Sequence, residues 1–425
     1  MQMAYLGLAY LAFTGWQARL RWHAILWRGA LIAAVGAGAA AVQLLPAAQL
    51  ARLSSRVVEY HYADKSNGFA PVELLGLIWP RVGGAWSPLY AGVAGFLLAI
   101  AAVFRRRARH FFWLGVIVVS LWLAMGRNSI VYDFFYSAVP GFSIFREQER
   151  AAYLVAFALA VLAADHLDWL LSRQALASGE AEPPEVRRFS RLARLHLAVT
   201  GGALLAAIVV NRLPPADLAG NPLVNTLAFV VLVSVLVNIW AAWLRQDSGP
   251  AWRATALLVL ITAADLFTIG TRTPNYIPDT PENRVAPPGA IETLRPDGPV
   301  AWHVDGAAGL QGYGAYFRVP DVYGTGPFTL ASVDALRRLP VDRFWEVLSV
   351  RYTTILTGVE PPITALDLLA YHRNYAGEEY QVFELLDPRP FAHLVYDYRE
   401  ASGSPEFGRQ IMSDPAVNLR EMAVT

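Results

Sequence analysis

The residues best equipped for chemistry sit in two loops between apolar stretches and at one point inside such a stretch. Arg146 and Arg150 stand four apart in Phe-Arg-Glu-Gln-Glu-Arg. On a helix they would share a face, and two guanidiniums aimed at one spot suit a phosphate or a carboxylate. The alternative is purely structural: Arg146 with Glu149, or Arg150 with Glu147. Earlier in the chain, Arg52, Arg56 and Lys65 surround Glu59, His61 and Asp64. The cations can hold a lipid phosphate at headgroup level, or simply snorkel at the interface. Glu59, His61 and Asp64 can hold a divalent ion only if the loop folds them together; otherwise they face water, and no other cofactor is implied. Asp265 lies inside an apolar stretch. A carboxylate at that depth is costly and marks a functional candidate by default, its alternative being a hydrogen-bonded structural role. Asp165, His166 and Asp168 read as a solvated helix end.

Eight apolar stretches must position these groups: Met3–Trp16, Gly29–Leu50, Pro88–Phe104, Phe111–Gly126, Ala151–Leu171, Leu195–Val210, Leu223–Leu244 and Ala254–Gly270. A spanning helix needs roughly 20 apolar residues. Several stretches fall short of that, so their ends run into the flanking loops. The first eighteen residues carry no charge and no A-x-A site, so they read as a span and not as a signal peptide. Between the second and third stretches, Pro71–Trp79 is too short to cross and reads as an interfacial or re-entrant helix. Gly36 and Gly38 suit close packing of the second span on a neighbour, and Pro46 suits a kink.

Charge sets the orientation. The loops Gln17–Arg28, Arg105–His110, Ser172–Arg194 and Arg245–Arg253 hold fourteen basic residues, against eight in Ala51–Ser87, Arg127–Arg150 and Asn211–Pro222. The positive-inside rule places the first set in the cytoplasm, and both termini outside. Trp16, Trp22, Trp27, Trp240, Trp243 and Trp252 then fall at the inner boundary, and Trp79 and Trp86 at the outer one. The formal charge of +1 conceals an asymmetry: Met1–Gly270 has 22 basic and 14 acidic residues, Thr271–Thr425 has 13 and 20. The acidic tail excludes nucleic acid as its partner, since phosphate binding needs clustered positive charge. There is no cysteine, and Lys65 is the only lysine. Arginine elsewhere reads as genome composition.

Three parts follow: a helical membrane domain over 1–270, a proline-rich linker over 271–289, and an extracytoplasmic domain over 290–425. In the last, Val300–Val304, Ala315–Val319, Ser349–Leu356, Tyr380–Leu385 and Phe391–Tyr396 suggest strands by β-branched and aromatic content. Ser332–Arg338 and Arg343–Leu348 suggest helices. An α+β or β-rich domain is expected.

Several motifs, in order, resemble the YfhO-like bacterial membrane proteins, which are grouped with GT-C-type glycosyltransferases. They are Gln43-Leu44-Leu45-Pro46 with Ser55-Arg56, Glu73-Leu74-Leu75 with Trp79-Pro80, and Pro140-Gly141-Phe142 with Phe145-Arg146 and Arg150. Ala264-Asp265-Leu266 and Val350-Arg351-Tyr352 complete the set. The resemblance implies a GT-C-like bundle in the bacterial cell membrane. It also implies transfer of a sugar from a polyprenyl-phosphate donor to a cell-surface polymer. Arg56, Arg146 and Arg150 would meet the donor phosphate, with Asp64, or less readily Asp265, as the base. Gln148 stands where the family often has proline, and the family's acidic first outer loop has no counterpart. The chain is therefore expected to match the middle-to-late part of such a protein. The alternatives are a non-catalytic envelope scaffold or binding protein, then a transporter, which would need more polar or broken spans. The orientation has a direct check: protease added to intact spheroplasts should clip the acidic tail. Protection there, with digestion in inside-out vesicles, reverses it.

Overall fold

The computed structural model describes residues 2–54, 62–82, 89–140, 142–143, 146–174, 184–211, 218, 220–246, 250–271, 289–294, 302–310, 314–323, 329–374, 377–401 and 405–425. Eight of its helices follow the eight apolar stretches: α1 Gln2–Gln17, α2 Trp22–Leu53, α4 Val93–Val103, α5 Ala108–Ala124, α7 Ala152–Gln174, α8 Pro184–Val210, α9 Pro222–Gln246 and α10 Ala251–Gly270. Two more, α3 Tyr62–Lys65 and α6 Ile130–Ala138, lie in the loops. Among the described residues five helices are long and apolar enough to cross a membrane: Trp22–Leu53, Gln148–Ser172, Pro184–Val210, Pro222–Arg245 and Ala251–Gly270. At about 1.5 Å per residue, the other three fall short of a hydrocarbon core of about 30 Å.

The apolar exterior makes this a membrane-embedded protein. Along the most apolar part of α2 no residue is buried; Leu31, Ile32, Val42 and Leu45 all face outward. Val209, Val210 and Phe267 do likewise. Apolar surface this continuous is stable only where hydrocarbon replaces water. Gly36 and Gly38 do not serve as a packing stripe here, because no atom lies within 4 Å of a Cβ built at either. Pro46 sits within the assigned span of α2.

Inside the bundle α4 is central, packing on α5, α7, α8, α9 and α10. Its small side chains allow this, with Ala94, Ala101 and Ala102 buried beside Leu97 and Leu98. The neighbouring core stacks Val230, Val233, Val237 and Trp240 of α9 on Leu258 and Ile261 of α10. Trp240 is not a boundary residue: it is wholly buried, and its indole N–H donates to the Ala254 carbonyl at 2.9 Å. Trp16, Trp22, Trp27 and Trp252 are exposed, as boundary indoles are. The piece over Pro71–Leu77 is a 3₁₀-helix, started by Pro71 and by the Glu73 carboxylate accepting the Ala70 N–H at 2.7 Å.

The chain divides into two compact units, residues 1–36 with 61–278, and residues 37–60 with 279–425. Expected residues 272–288 of the linker lie outside the described residues. The second unit carries a four-stranded sheet in the order β1-β2-β4-β3, with β1 His303–Asp305, β2 Val350–Leu356, β3 Leu366–Arg373 and β4 Glu379–Leu385. β1 runs parallel to β2, and β4 is antiparallel to both β2 and β3. A two-stranded ribbon joins β5 Asp397–Arg399 to β6 Met422–Val424. The expected strand Ala315–Val319 is instead the short helix α12, Gly314–Phe317, following α11, Gly289–Leu294. Phe391–Tyr396 is irregular and the strand begins only at Asp397. Both helices expected between strands are present, as α13 Ala331–Arg337 and α14 Val341–Val347; α15 Pro405–Ser413 was unanticipated.

Trp302, Val304, Val319, Tyr380 and Val382 form the main core of this unit. Asp305 is buried beside it and accepts the Trp345 indole N–H at 2.7 Å. Burial pushes its carboxyl above the ordinary range, and the Trp345 and Ala307 hydrogen bonds offset this only in part. A raised folded-state pKa means the folded chain binds the proton more tightly than the unfolded one. The associated stability is full below the ordinary carboxylate pKa and is lost as pH rises through the elevated one. Melting measured in detergent should therefore fall over that window in the wild type, and this component of the slope should vanish in Asp305→Asn.

Candidate functional site

At the arginine-poor end of the first unit, three loops lock together through their backbones. The Phe69 N–H donates to the Ala124 carbonyl at 2.8 Å, the Arg127 N–H to Ser66 at 2.8 Å, and the Gln148 N–H to Asn67 at 2.9 Å. Two glycines permit the approach. A Cβ on Gly68 would lie 2.4 Å from the Gly126 nitrogen, and Gly126 itself has φ of 51°. A side chain at either position would strike backbone, which cannot move aside.

Lys65 is held at the centre of this layer. Its carbonyl accepts the Gln148 side-chain N–H at 3.1 Å and the Tyr132 hydroxyl at 3.4 Å, while Gln148 also donates to Tyr132 at 3.1 Å. Lys65 is 7% exposed, and among the described residues no carboxylate pairs with it. The Tyr62 hydroxyl bonds Asp133 on α6; burial first, and then that carboxylate, push the phenol up to about 12. It stays protonated throughout the physiological range.

Arg146 and Arg150 do not share a helix face, because Glu147 between them is left-handed with φ of 62°. The helix cannot begin until the 3₁₀ turn Gln148–Ala151 that leads into α7. The two guanidiniums meet nonetheless. Arg146 Nε lies 3.2 Å from Glu147 Oε1, and Arg150 Nη2 pairs with Oε2 of the same carboxylate. Of the structural pairings expected, Arg150 with Glu147 is present; Arg146 takes Glu147 rather than Glu149. One oxygen of Glu149 is buried with no hydrogen-bond partner among the described residues. Glu149 is thus the acidic group here with unused acceptor capacity.

Arg56, Glu59 and His61 lie outside the described residues, and of Asp64 only the backbone, in α3, is described. The divalent site suggested for Glu59, His61 and Asp64 therefore falls outside them too. Among the described residues no three His, Asp or Glu side chains group as metal ligands.

Asp265 has a defined task. It is 1% exposed, and its Oδ2 accepts the Val93 N–H, its Oδ1 the Tyr90 hydroxyl, both at 2.9 Å. Val93 begins α4, so a side chain of α10 caps the helix from across the bundle. Gly92, with φ of 77°, makes room: a Cβ there would stand 3.1 Å from Asp265 Oδ2. Alongside lies an apolar cleft of about 570 Å³, lined by Tyr90, Gly95, Leu98, Ala163, Thr262 and Leu266 among others.

At the opposite, arginine-rich end, Asp165 is a hub and not a solvated terminus. Its carboxylate takes Arg105 at 2.9 Å, His110 at 2.8 Å, and Arg109. His166 is wholly buried and stacks on Trp169 at 5.7 Å.

Reading residue by residue overlooked Lys65 as a buried centre, along with Tyr132, Gln148 and the glycine pair. One signal was present, since a single lysine in a chain that otherwise uses arginine singles out its position. No protein-family model, curated protein or solved structure matches the chain. The resemblance to the YfhO-like proteins therefore rests on its quoted motifs alone. Of those, Val350-Arg351-Tyr352 opens β2, where Arg351 bridges to Glu384 of β4 at 2.7 Å.

The cap assigns Asp265 a measurable energy. Asp265→Ala strands two buried donors, at about 1–3 kcal/mol each, so the unfolding free energy in detergent should drop by about 2–6 kcal/mol. Asp265→Asn, keeping one acceptor oxygen, should lose roughly half of that. An Asn variant that melts like wild type would show that the cap is not structural.

Proposed function

We propose that this membrane protein binds a polyprenyl-phosphate-linked sugar in the arginine-poor loop layer and acts in extracytoplasmic glycosyl transfer to a cell-surface polymer. The observation that carries the reading is the convergence of Arg146 and Arg150 on a single carboxylate. Two guanidiniums that grip one carboxylate have the spacing to grip a phosphate, which presents the same pair of oxygens. Lys65 belongs to the same layer through Gln148, two residues from each arginine. The cleft beside Tyr90 offers apolar walls to a prenyl chain.

In the proposed reaction an acceptor hydroxyl attacks the anomeric carbon and gives its proton to a carboxylate. The bond from that carbon to the phosphate oxygen breaks, and the lipid phosphate leaves with the electron pair. Arg146, Arg150 and, from its sequence position, Arg56 stabilise the charge that develops there. Asp64, next to Lys65, is the proposed base; Asp265, with both oxygens engaged, is the weaker choice. Glu147 acts as a placeholder that phosphate must displace.

A second reading keeps the binding and drops the chemistry, leaving a scaffold that holds a lipid-linked sugar. It is favoured by the engagement of Asp265 as a cap. One assay separates the two. Membranes carrying the wild type should transfer radiolabel from polyprenyl-phosphate-sugar to polymer, and Arg146→Ala should lower this at least about tenfold, the loss of one charge-assisted contact worth roughly 1.4 kcal/mol or more. Donor binding without transfer selects the scaffold; neither binding nor transfer ends the proposal.

A further inference from the structure

The run Arg105, Arg106, Arg107 and Arg109 is divided by the fold. Arg105 and Arg109 turn to Asp165, as described, and Arg105 also lies 5.0 Å over the Trp169 ring. Arg106 is different. Its backbone is left-handed, with φ of 50°, a region an arginine rarely adopts. It lines a cleft of about 610 Å³ together with Arg188 and Arg191, over an apolar floor of Phe104 and Leu192.

Three guanidiniums on one cleft repel one another unless an anion sits among them. Among the described residues none of the three forms an ion pair. Glu185, in the first turn of α8, forms no ion pair with them among the described residues. Neighbouring arginines do find partners inside the chain, Arg105 and Arg109 at Asp165, and Arg194 at the Ser190 carbonyl at 3.2 Å. The three in the cleft have no such partner among the described residues.

We propose that this cleft is a phosphate site for the headgroup of an anionic phospholipid. The charge matches a phosphodiester, whose oxygens accept from several N–H donors at once. The floor argues for a lipid over a free phosphate compound, since Phe104 is about half exposed where the apolar surface of α4 ends. A glycerol backbone and the first methylenes of an acyl chain would cover Phe104 and Leu192, while the phosphate sits among the arginines. Basic pockets between membrane helices at the positive end recognise headgroups in this way. The site lies at the end of the bundle opposite the proposed donor site and does not depend on it.

The test is lipid retention by the full-length chain in detergent, read by native mass spectrometry with phosphatidylglycerol or phosphatidylcholine supplied. Wild type should retain phosphatidylglycerol preferentially. The variant Arg106→Gln/Arg188→Gln/Arg191→Gln should bind it at least tenfold more weakly. The control Arg19→Gln/Arg21→Gln/Arg253→Gln removes three exposed arginines of the same loop set and should bind as wild type. Lysine at all three cleft positions should restore much of the loss, which separates charge from misfolding. Equal retention by the two glutamine variants overturns the site. Inorganic phosphate that displaces bound lipid at millimolar concentration, with no preference between the two lipids, overturns the lipid assignment.

Discussion

The helix α4 begins inside the bundle, and the carboxylate of Asp265 makes that possible. A helix start leaves backbone N–H groups without partners, and in apolar surroundings each one is expensive. Asp265 reaches from α10 to take the Val93 N–H and, with its other oxygen, the Tyr90 hydroxyl. Gly92 has to be glycine for the approach, both for its positive φ and for the space that a Cβ would occupy. α4 touches five other helices, so the cap fixes the height of the central element and with it the apolar cleft beside Tyr90. The carboxylate that depth alone marked as functional is accounted for by geometry.

The same economy governs the loop layer. Short segments crossing the end of a bundle must find partners for their own peptide groups. Here they find them in each other: Phe69 on Ala124, Arg127 on Ser66, Gln148 on Asn67. Gly68 and Gly126 let the segments come close enough to do so. The outcome is a hydrogen-bonded layer that holds Lys65 and adjoins Arg146 and Arg150. On the proposed reading, a binding group mounted on such backbone would lose less freedom when its ligand arrives.

Periodicity and hydropathy made the helices legible, because length and apolar content alone decide what can lie in a bilayer. Their limits were less legible. The third stretch read as starting at Pro88, yet the helix starts at Val93, and only the partner Asp265, far along the chain, explains why. Trp240 read as a boundary indole and is buried, since the acceptor for its N–H, the Ala254 carbonyl, comes from the next helix. In the tail, β3 was missed because Leu-Asp-Leu-Leu-Ala lacks β-branched residues; it is an edge strand whose pairing with β4 overrides its local preference. The arginine pair was found by spacing for the wrong local reason. A helix was assumed, but a left-handed Glu147 and a 3₁₀ turn deliver both guanidiniums to one point.

Arginines at the two ends of the bundle differ in how they are satisfied, and this difference says more than their number. At the arginine-poor end, Arg146 and Arg150 share Glu147, so any incoming anion competes with a carboxylate already in place. Exposed pairs of this kind are worth little, and exchange of partners is cheap. At the arginine-rich end, Asp165 absorbs Arg105, Arg109 and His110, where Arg105 and His110 are almost fully enclosed. A hub of that sort is costly to break, because removing one partner leaves buried charge behind. It therefore works as a brace between α5 and α7, and it also draws two arginines of the run away from the cleft. What remains at Arg106, Arg188 and Arg191 is positive charge that no carboxylate pairs with among the described residues. Positive-inside bias requires basic residues near that face but does not require them to converge on one cleft over an apolar floor. Convergence with no paired carboxylate among the described residues is the feature that topology alone leaves unexplained, and the proposed anion would account for it.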